Sequence, residues 1–150
     1  MFNVVEANQS NPHSESVFRA LRNTPVVLPE AEHQKLQEHL DDCEGAMRPC
    51  STLLAYVLAN KLLNTRPVPD LHCAGLVIGG RRVTYAIDGE EPQTGLMVHR
   101  AREGTPGGII PVASLLGATL IGMRIEQRAP LLREDGTIGR LLVIDVAGSI

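Results

Sequence analysis

The sequence predicts an α+β fold, in which two helices precede an antiparallel sheet that carries one further helix. Apolar residues recur at helical spacing up to residue 64, and the pattern changes to short β-rich runs after residue 70. Between two of those runs, residues 114–121 again have the pattern of a helix. Helices and strands that occupy separate parts of a chain are typical of an α+β domain.

Composition limits the classes of protein to which the chain belongs. Its 150 residues support one domain of ordinary size, and 43% hydrophobic with 21% charged residues is usual for a soluble globular protein. Apolar runs long enough to span a membrane and the pattern of a signal peptide are both missing, so we expect a cytoplasmic protein without a membrane partner. The net charge of −3 and the lack of a basic stripe indicate that any contact with nucleic acid is indirect.

Two amphipathic helices are predicted within residues 25–66. The first begins at Pro29 and ends at Gly45, and the second runs from Ser51 to about Asn64. We expect them to pack as a short antiparallel coiled-coil hairpin, an arm only about 20 Å long.

The segments on either side of this arm have less regular patterns. Residues 1–24 are predicted to form a weakly ordered extension, in which only 14–22 has the pattern of a short helix. Residues 65–70 contain two prolines, which favour an extended path and mark the boundary of a C-terminal domain over 71–150.

The C-terminal domain is predicted to contain about five antiparallel strands and one helix. Asp88 and Gly89 form a turn signal between two strands. Ser114 is a good N-cap for the helix, and Gly122 supplies its left-handed C-terminal residue. The β-rich runs are Leu76–Ile78, Arg81–Ile87, Thr94–His99, 109–112, Met123–Leu132 and Arg140–Ala147.

Several motifs with catalytic or ligand-binding potential have simpler explanations. Four residues could gather around zinc, but no close pair of cysteines supports this, so reduced thiols and no metal are expected; they are His39, Cys43, Cys50 and His72. The glycine-rich run 104–108 lacks a following lysine, which favours a strand connection over a phosphate loop. Ser114 lacks the glycines of a nucleophile elbow, which argues against a serine hydrolase.

Two charged groups are the candidate site residues. Asp41, Asp42 and Glu44 lie together at the predicted end of the arm, where they are either a solvated acidic turn or carboxylates that share a divalent cation with a partner. Every basic residue after position 70 is an arginine, a residue suited to protein interfaces. We expect three of them to lie on neighbouring strands and to meet an acidic partner surface; they are Arg81, Arg82 and Arg100.

The arrangement resembles the bacterial Gre family of transcription elongation factors, and more closely their short-armed relatives, the regulators of nucleoside diphosphate kinase. The likeness covers about residues 25–150 and is strongest over 112–122, Val-Ala-Ser-Leu-Leu-Gly-Ala-Thr-Leu-Ile-Gly. The run 80–85, Gly-Arg-Arg-Val-Thr-Tyr, is similar to the first strand of the family's C-terminal domain. The resemblance implies an FKBP-like C-terminal domain and an N-terminal helical arm.

The resemblance also implies a partner. The C-terminal domain would dock on RNA polymerase near its secondary channel, and the arm would enter that channel. Acidic residues at the arm tip of the cleavage factors help to hold the second Mg²⁺ of the polymerase, and Asp41, Asp42 and Glu44 occupy the corresponding region here. An arm of about 20 Å favours occupation of the channel over stimulation of transcript cleavage.

The function expected from the sequence is therefore that of a polymerase-binding accessory factor that modulates elongation, not of an enzyme and without a cofactor of its own. The alternative is a generic protein-interaction module with an FKBP-like fold and another partner. Peptidyl-prolyl isomerase activity is disfavoured because the pocket of such an enzyme needs several aromatic rings. Tyr85 is the only aromatic residue that follows Tyr56 in the sequence.

Overall fold

The chain folds into a pair of helices framed by two short strands, followed by a five-stranded sheet with one short helix. A computed structural model describes residues 26–45, 49–100 and 107–148. The helices are α1 (Glu30–Gly45), α2 (Pro49–Leu63) and α3 (Leu115–Leu120). The strands are β1 (Val26–Pro29), β2 (Thr65–Val68), β3 (Arg82–Ile87), β4 (Gln93–Val98), β5 (Ile109–Pro111), β6 (Arg128–Leu132) and β7 (Ile138–Ala147). The predicted extension 1–24, with its helical pattern at 14–22, lies outside the described residues.

The first two helices lie close to their predicted positions, with one correction. α1 ends at the expected Gly45, and α2 begins at Pro49, two residues before the expected Ser51. Pro29 does not begin α1: it is the last residue of β1, and the helix starts at Glu30. The fixed φ of proline suits the end of an extended strand as well as the start of a helix, so the sequence alone does not distinguish the two.

A parallel two-stranded sheet closes the base of the helical pair. Val26 is paired with Thr65 and Pro29 with Val68, so the segment predicted as a boundary over 65–70 contains a strand. β1 was not predicted, because four residues that end in proline carry too little alternation to identify a strand. Since β1 precedes α1 and β2 follows α2, the pairing holds the two ends of the helical pair together.

The fold is α+β as predicted, but the large sheet is mixed rather than wholly antiparallel. Its strand order is β5-β4-β3-β7-β6, and β5 runs parallel to β4, with Leu96 opposite Ile109. β5 pairs with the second half of β4, since Pro111 lies opposite Val98. The edge strands β5 and β6 each contain a proline, as do β1 and β2; the four are Pro29, Pro67, Pro111 and Pro130.

Local signals around α3 are confirmed, whereas two strand predictions were too long. Ser114 accepts a hydrogen bond from the amide of Gly117 at 3.0 Å, and Gly122 has a φ of +85°. The predicted strand Leu76–Ile78 is reduced to one bridge, between Leu76 and Arg124. The run Met123–Leu132 becomes a strand only from Arg128, because Glu126 has a φ of +73° and interrupts the extended backbone.

One hydrophobic core joins the helical pair to the large sheet. Leu36 of α1 and Leu58 of α2 are fully buried in the same cluster as Val83, Met97 and Leu141 of the sheet. Residues of α1 and α2 that are only partly buried also pack against this cluster, among them Leu40, Cys43, Leu54, Val57 and Leu62. The helices are therefore anchored to the sheet along much of their length. No helix in the described ranges is long and apolar enough to cross a bilayer.

Candidate functional site

A buried carboxylate connects α1 to the end of β4. Glu32 is only 8% exposed, and its Oε1 accepts hydrogen bonds from the backbone amide of Gly79 at 2.8 Å and from Nε2 of His99 at 2.7 Å. Glu32 is placed there because it lies four residues before the buried Leu36, on the same face of α1. We call this group, Glu32 with Gly79 and His99, the Glu32–His99 junction.

A second histidine extends the junction along α1. Nε2 of His39 lies 3.1 Å from Nδ1 of His99, and the two rings are nearly parallel, with 5.3 Å between their centroids. One of these two nitrogens carries the shared proton, so the state of one ring constrains that of the other. A carboxylate and two imidazoles thus form a continuous hydrogen-bonded row between helix and sheet.

Burial and charge shift the pKa values within this row. Burial raises the pKa of Glu32, but the hydrogen bonds from His99 and Gly79, together with the charges of His99 and Lys35, outweigh it and lower the pKa below 4.5. Burial lowers the pKa of His39 below 6.5, and the charge of His99 lowers it further. Glu32 is therefore ionised at neutral pH, whereas His39 is held neutral.

The predicted acidic residues lie on the last turns of α1 and are exposed. Asp41 accepts a hydrogen bond from Gln37 Nε2 at 3.1 Å, and the side chains of Asp42 and Glu44 are also open to solvent. Cys43, between them, is partly buried and packs against the core. The acidic group therefore begins where α1 still contacts the rest of the molecule.

The three predicted arginines have different surroundings. Nη1 of Arg81 donates to the carbonyl oxygens of Cys73 and Leu76, at 2.6 and 2.8 Å, and thereby holds the loop before β3. Arg82 on β3 and Arg100 after β4 are exposed.

His39 lies between members of the two predicted groups. The charge of Asp42 raises the pKa of His39, and the charge of Arg100 lowers it, so both charges act on the same imidazole. The end of α1 and the end of β4 therefore contribute charges of both signs to one face.

Metal binding has no support within 26–45, 49–100 and 107–148, because no group of three or more His, Cys, Asp or Glu side chains in these ranges could hold an ion. Of the four residues considered for zinc, His39 is hydrogen-bonded to His99, and the side chain of Cys50 lies outside the description.

The Glu32–His99 junction was not predicted from the sequence. The spacing of Glu32 and Leu36 was a usable signal, since it places a carboxylate on the apolar stripe of α1. The partner, 67 residues later, has no such signal, because nothing in the pattern near His99 indicates which helix it will meet.

Comparison with solved structures identifies the fold. The GreA/GreB transcription elongation factor from Nitrosomonas europaea superposes with a TM-score of 0.56 at 17% identity, over 83% of this chain and 98% of that one. The chain has a GreA/GreB-like fold. Gfh1 of Thermus aquaticus matches with a TM-score of 0.42 at 14% identity, over 82% of this chain and 98% of its own. The GreA factor homolog 1 of Thermus thermophilus matches with a TM-score of 0.39 at 16% identity, over 83% of this chain and 100% of its own. No family model and no curated protein matches the sequence.

Proposed function

We propose that this chain is a transcription elongation accessory factor that binds bacterial RNA polymerase near its secondary channel and modulates elongation. The observation that carries the proposal is the shared fold with the GreA/GreB factor of N. europaea, which extends over nearly the whole of that protein. The sequence likeness over 112–122 is an independent argument, and α3 with its Ser114 cap lies in that segment. The factor acts in the cytoplasm and has no reaction or cofactor of its own.

The finer part of the proposal concerns the type of factor. We assign the chain to the short-armed relatives called regulators of nucleoside diphosphate kinase, with α1 and α2 as the arm and 71–150 as an FKBP-like domain. The helices have 16 and 15 residues, which corresponds to about 24 and 22 Å. Since Leu36 and Leu58 lie in the common core, one face of each helix packs on the rest of the molecule and is not available to a partner. This geometry favours occupation of the channel entrance over delivery of carboxylates to a distant active centre.

The exposed acidic residues Asp41, Asp42 and Glu44 are proposed to act inside the transcription complex. There they would share Mg²⁺ with the polymerase or repel the anionic transcript. Their side chains are exposed, and no group of residues within the described ranges could hold a metal ion without a partner. We expect their replacement by alanine to leave polymerase binding largely intact and to weaken the effect on elongation.

Arg82 and Arg100 are proposed to contact an acidic surface of the polymerase, because both are exposed. Arg81 is proposed to stabilise that surface rather than to contact the partner, since its guanidinium donates hydrogen bonds to two backbone carbonyls. We expect Arg82→Ala with Arg100→Ala to weaken retention on polymerase and to reduce the salt dependence of binding.

The deciding experiment is retention of the full chain on immobilised bacterial core polymerase, followed by a stalled-complex transcription assay. Retention at moderate salt and a changed rate of elongation or cleavage support the proposal. A matched control replaces three other exposed carboxylates by alanine, namely Glu90, Glu91 and Glu134. Equal effects of the control and of the Asp41, Asp42 and Glu44 replacement would reject the acidic residues as a specific group.

The alternative is an interaction module with a partner other than polymerase. This alternative would be favoured if the chain folds normally but is not retained on core polymerase at any salt concentration. That result would overturn the proposed function without affecting the fold.

A further inference from the structure

A groove between α2 and the edge strand β6 has a largely apolar lining with a few polar side chains. It has a volume of about 260 Å³, and Val57 and Pro130 contribute to its walls. Tyr56 and Ile138, which are 64% and 56% exposed, also line it. Concave apolar surfaces with a small number of convergent polar groups are the usual composition of small-molecule sites.

Among its polar groups, which include Asn60, Asn64, Gln127 and Arg128, the ammonium of Lys61 is the one held by the core of the molecule. Its Nζ donates to the carbonyl oxygen of Thr119 at 2.8 Å, in the last turn of α3, where carbonyls lack partners within the helix. An ammonium has three donors, and this is the one hydrogen bond that Lys61 makes among the described residues. Burial lowers the pKa of Lys61 to about 8. Two donors thus remain for a ligand that enters the groove.

The charge around the groove is of one sign. Lys61 and Arg128 line it, and no Asp or Glu within the described parts of the chain does so. Lys61 is in none of the ion pairs found within the described ranges. Partial burial of a cation without a counter-ion is unfavourable, and an anion that enters the groove offsets this cost.

We propose that this groove binds a small apolar carboxylate, whose charged end pairs with Lys61 and whose hydrocarbon part lies along Val57 and Pro130. An uncharged apolar molecule would leave the ammonium unpaired, and an amine would be repelled by it. A phosphate ester is more strongly hydrated and gains little from apolar walls. A carboxylic acid with an aliphatic chain satisfies both the charge and the lining of the groove.

The two lysines of the sequence, Lys35 and Lys61, make a direct test possible. In the full chain labelled with ¹³C at the lysine ε carbons, nuclear magnetic resonance gives one signal for each. Lys35 is half exposed on α1 and is an internal control. We expect octanoate to shift the Lys61 signal saturably and to raise its pKa by at least about one unit, since a nearby opposite charge favours the ammonium. The Lys35 signal should stay unchanged.

Uncharged and variant controls separate the ion pair from simple apolar binding. Octanol should bind at least about tenfold more weakly than octanoate, and Lys61→Met should weaken octanoate binding by a similar factor. Lys35→Met, the matched variant, should leave octanoate binding unchanged. If Lys61→Met fails to fold, the wild-type titration with octanoate and octanol still decides the question.

Three results would overturn the proposal. The first is equal binding of octanol and octanoate, which would mark a neutral apolar site. The second is a Lys61 signal that does not respond to octanoate. The third is a Lys61 signal that changes with protein concentration alone, which would mean that a second copy of the chain covers the groove. None of these outcomes depends on whether the chain binds polymerase.

Discussion

The substitution Glu32→Gln tests whether the charge at the Glu32–His99 junction stabilises the fold. Glutamine keeps the length of the side chain and an oxygen that can accept both hydrogen bonds, at 2.8 Å from Gly79 and 2.7 Å from His99. What it loses is the charge, and a hydrogen bond to a charged group contributes about 1 kcal/mol more than a neutral one. Two such bonds give about 2 kcal/mol, reduced to about 1–2 kcal/mol because an uncharged amide costs less to bury.

The assay is urea denaturation followed by far-ultraviolet circular dichroism, since the chain has no tryptophan. At pH 7 we expect the free energy of unfolding to fall by that amount. Because the pKa of Glu32 is lowered from 4.5 in the folded state, its contribution is complete above about pH 4.5 and is lost as the pH falls through the folded value. The difference between wild type and variant should therefore shrink below pH 4.5, where protonated Glu32 resembles glutamine.

The matched control is Glu38→Gln, an exposed carboxylate on the same helix. It should change stability by no more than about 0.5 kcal/mol. Equal effects of the two substitutions at pH 7 would refute the reasoning, and so would a Glu32→Gln effect that persists undiminished at low pH.

Three further predictions concern packing, capping and protonation. Leu58→Ala should lower the free energy of unfolding by about 2–5 kcal/mol because Leu58 is fully buried, whereas Leu63→Ala, 85% exposed on the same helix, should have almost no effect in the same denaturation. Ser114→Ala should cost about 1 kcal/mol through loss of the cap on Gly117, and Ser114→Thr should recover most of it in a thermal melt. His39 has a folded pKa below 6.5, so the unfolded chain binds more protons and the free energy of unfolding of the wild type should fall as the pH drops below about 6.5. His39→Gln should reduce this dependence of the free energy of unfolding on pH. An unchanged dependence would contradict the prediction.

The sequence predicted the elements that depend on local chemistry. Ser114 and Gly122 mark the ends of α3 because capping and left-handed backbone are properties of single residues. The turn at Asp88 and Gly89 is present for the same reason, with φ values of +55° and +74°.

What the sequence did not predict depends on partners that are distant in the chain. The direction in which β5 pairs with β4 is not written in either strand, and the pairing of β1 with β2 joins segments on either side of two helices. Lys61 was not singled out because its acceptor, Thr119, is 58 residues away and is a backbone atom, which leaves no mark in the sequence.

The prolines in β1, β2, β5 and β6 bear on how the molecule behaves at high concentration. Both strands of the small sheet and both outer strands of the large one contain a residue without an amide hydrogen: Pro29, Pro67, Pro111 and Pro130. Exposed edge strands can pair with strands of other molecules. Each proline lacks a backbone N–H donor and so interrupts the row of hydrogen bonds that such pairing needs. We expect replacement of Pro130 by valine to promote aggregation during concentration or heating.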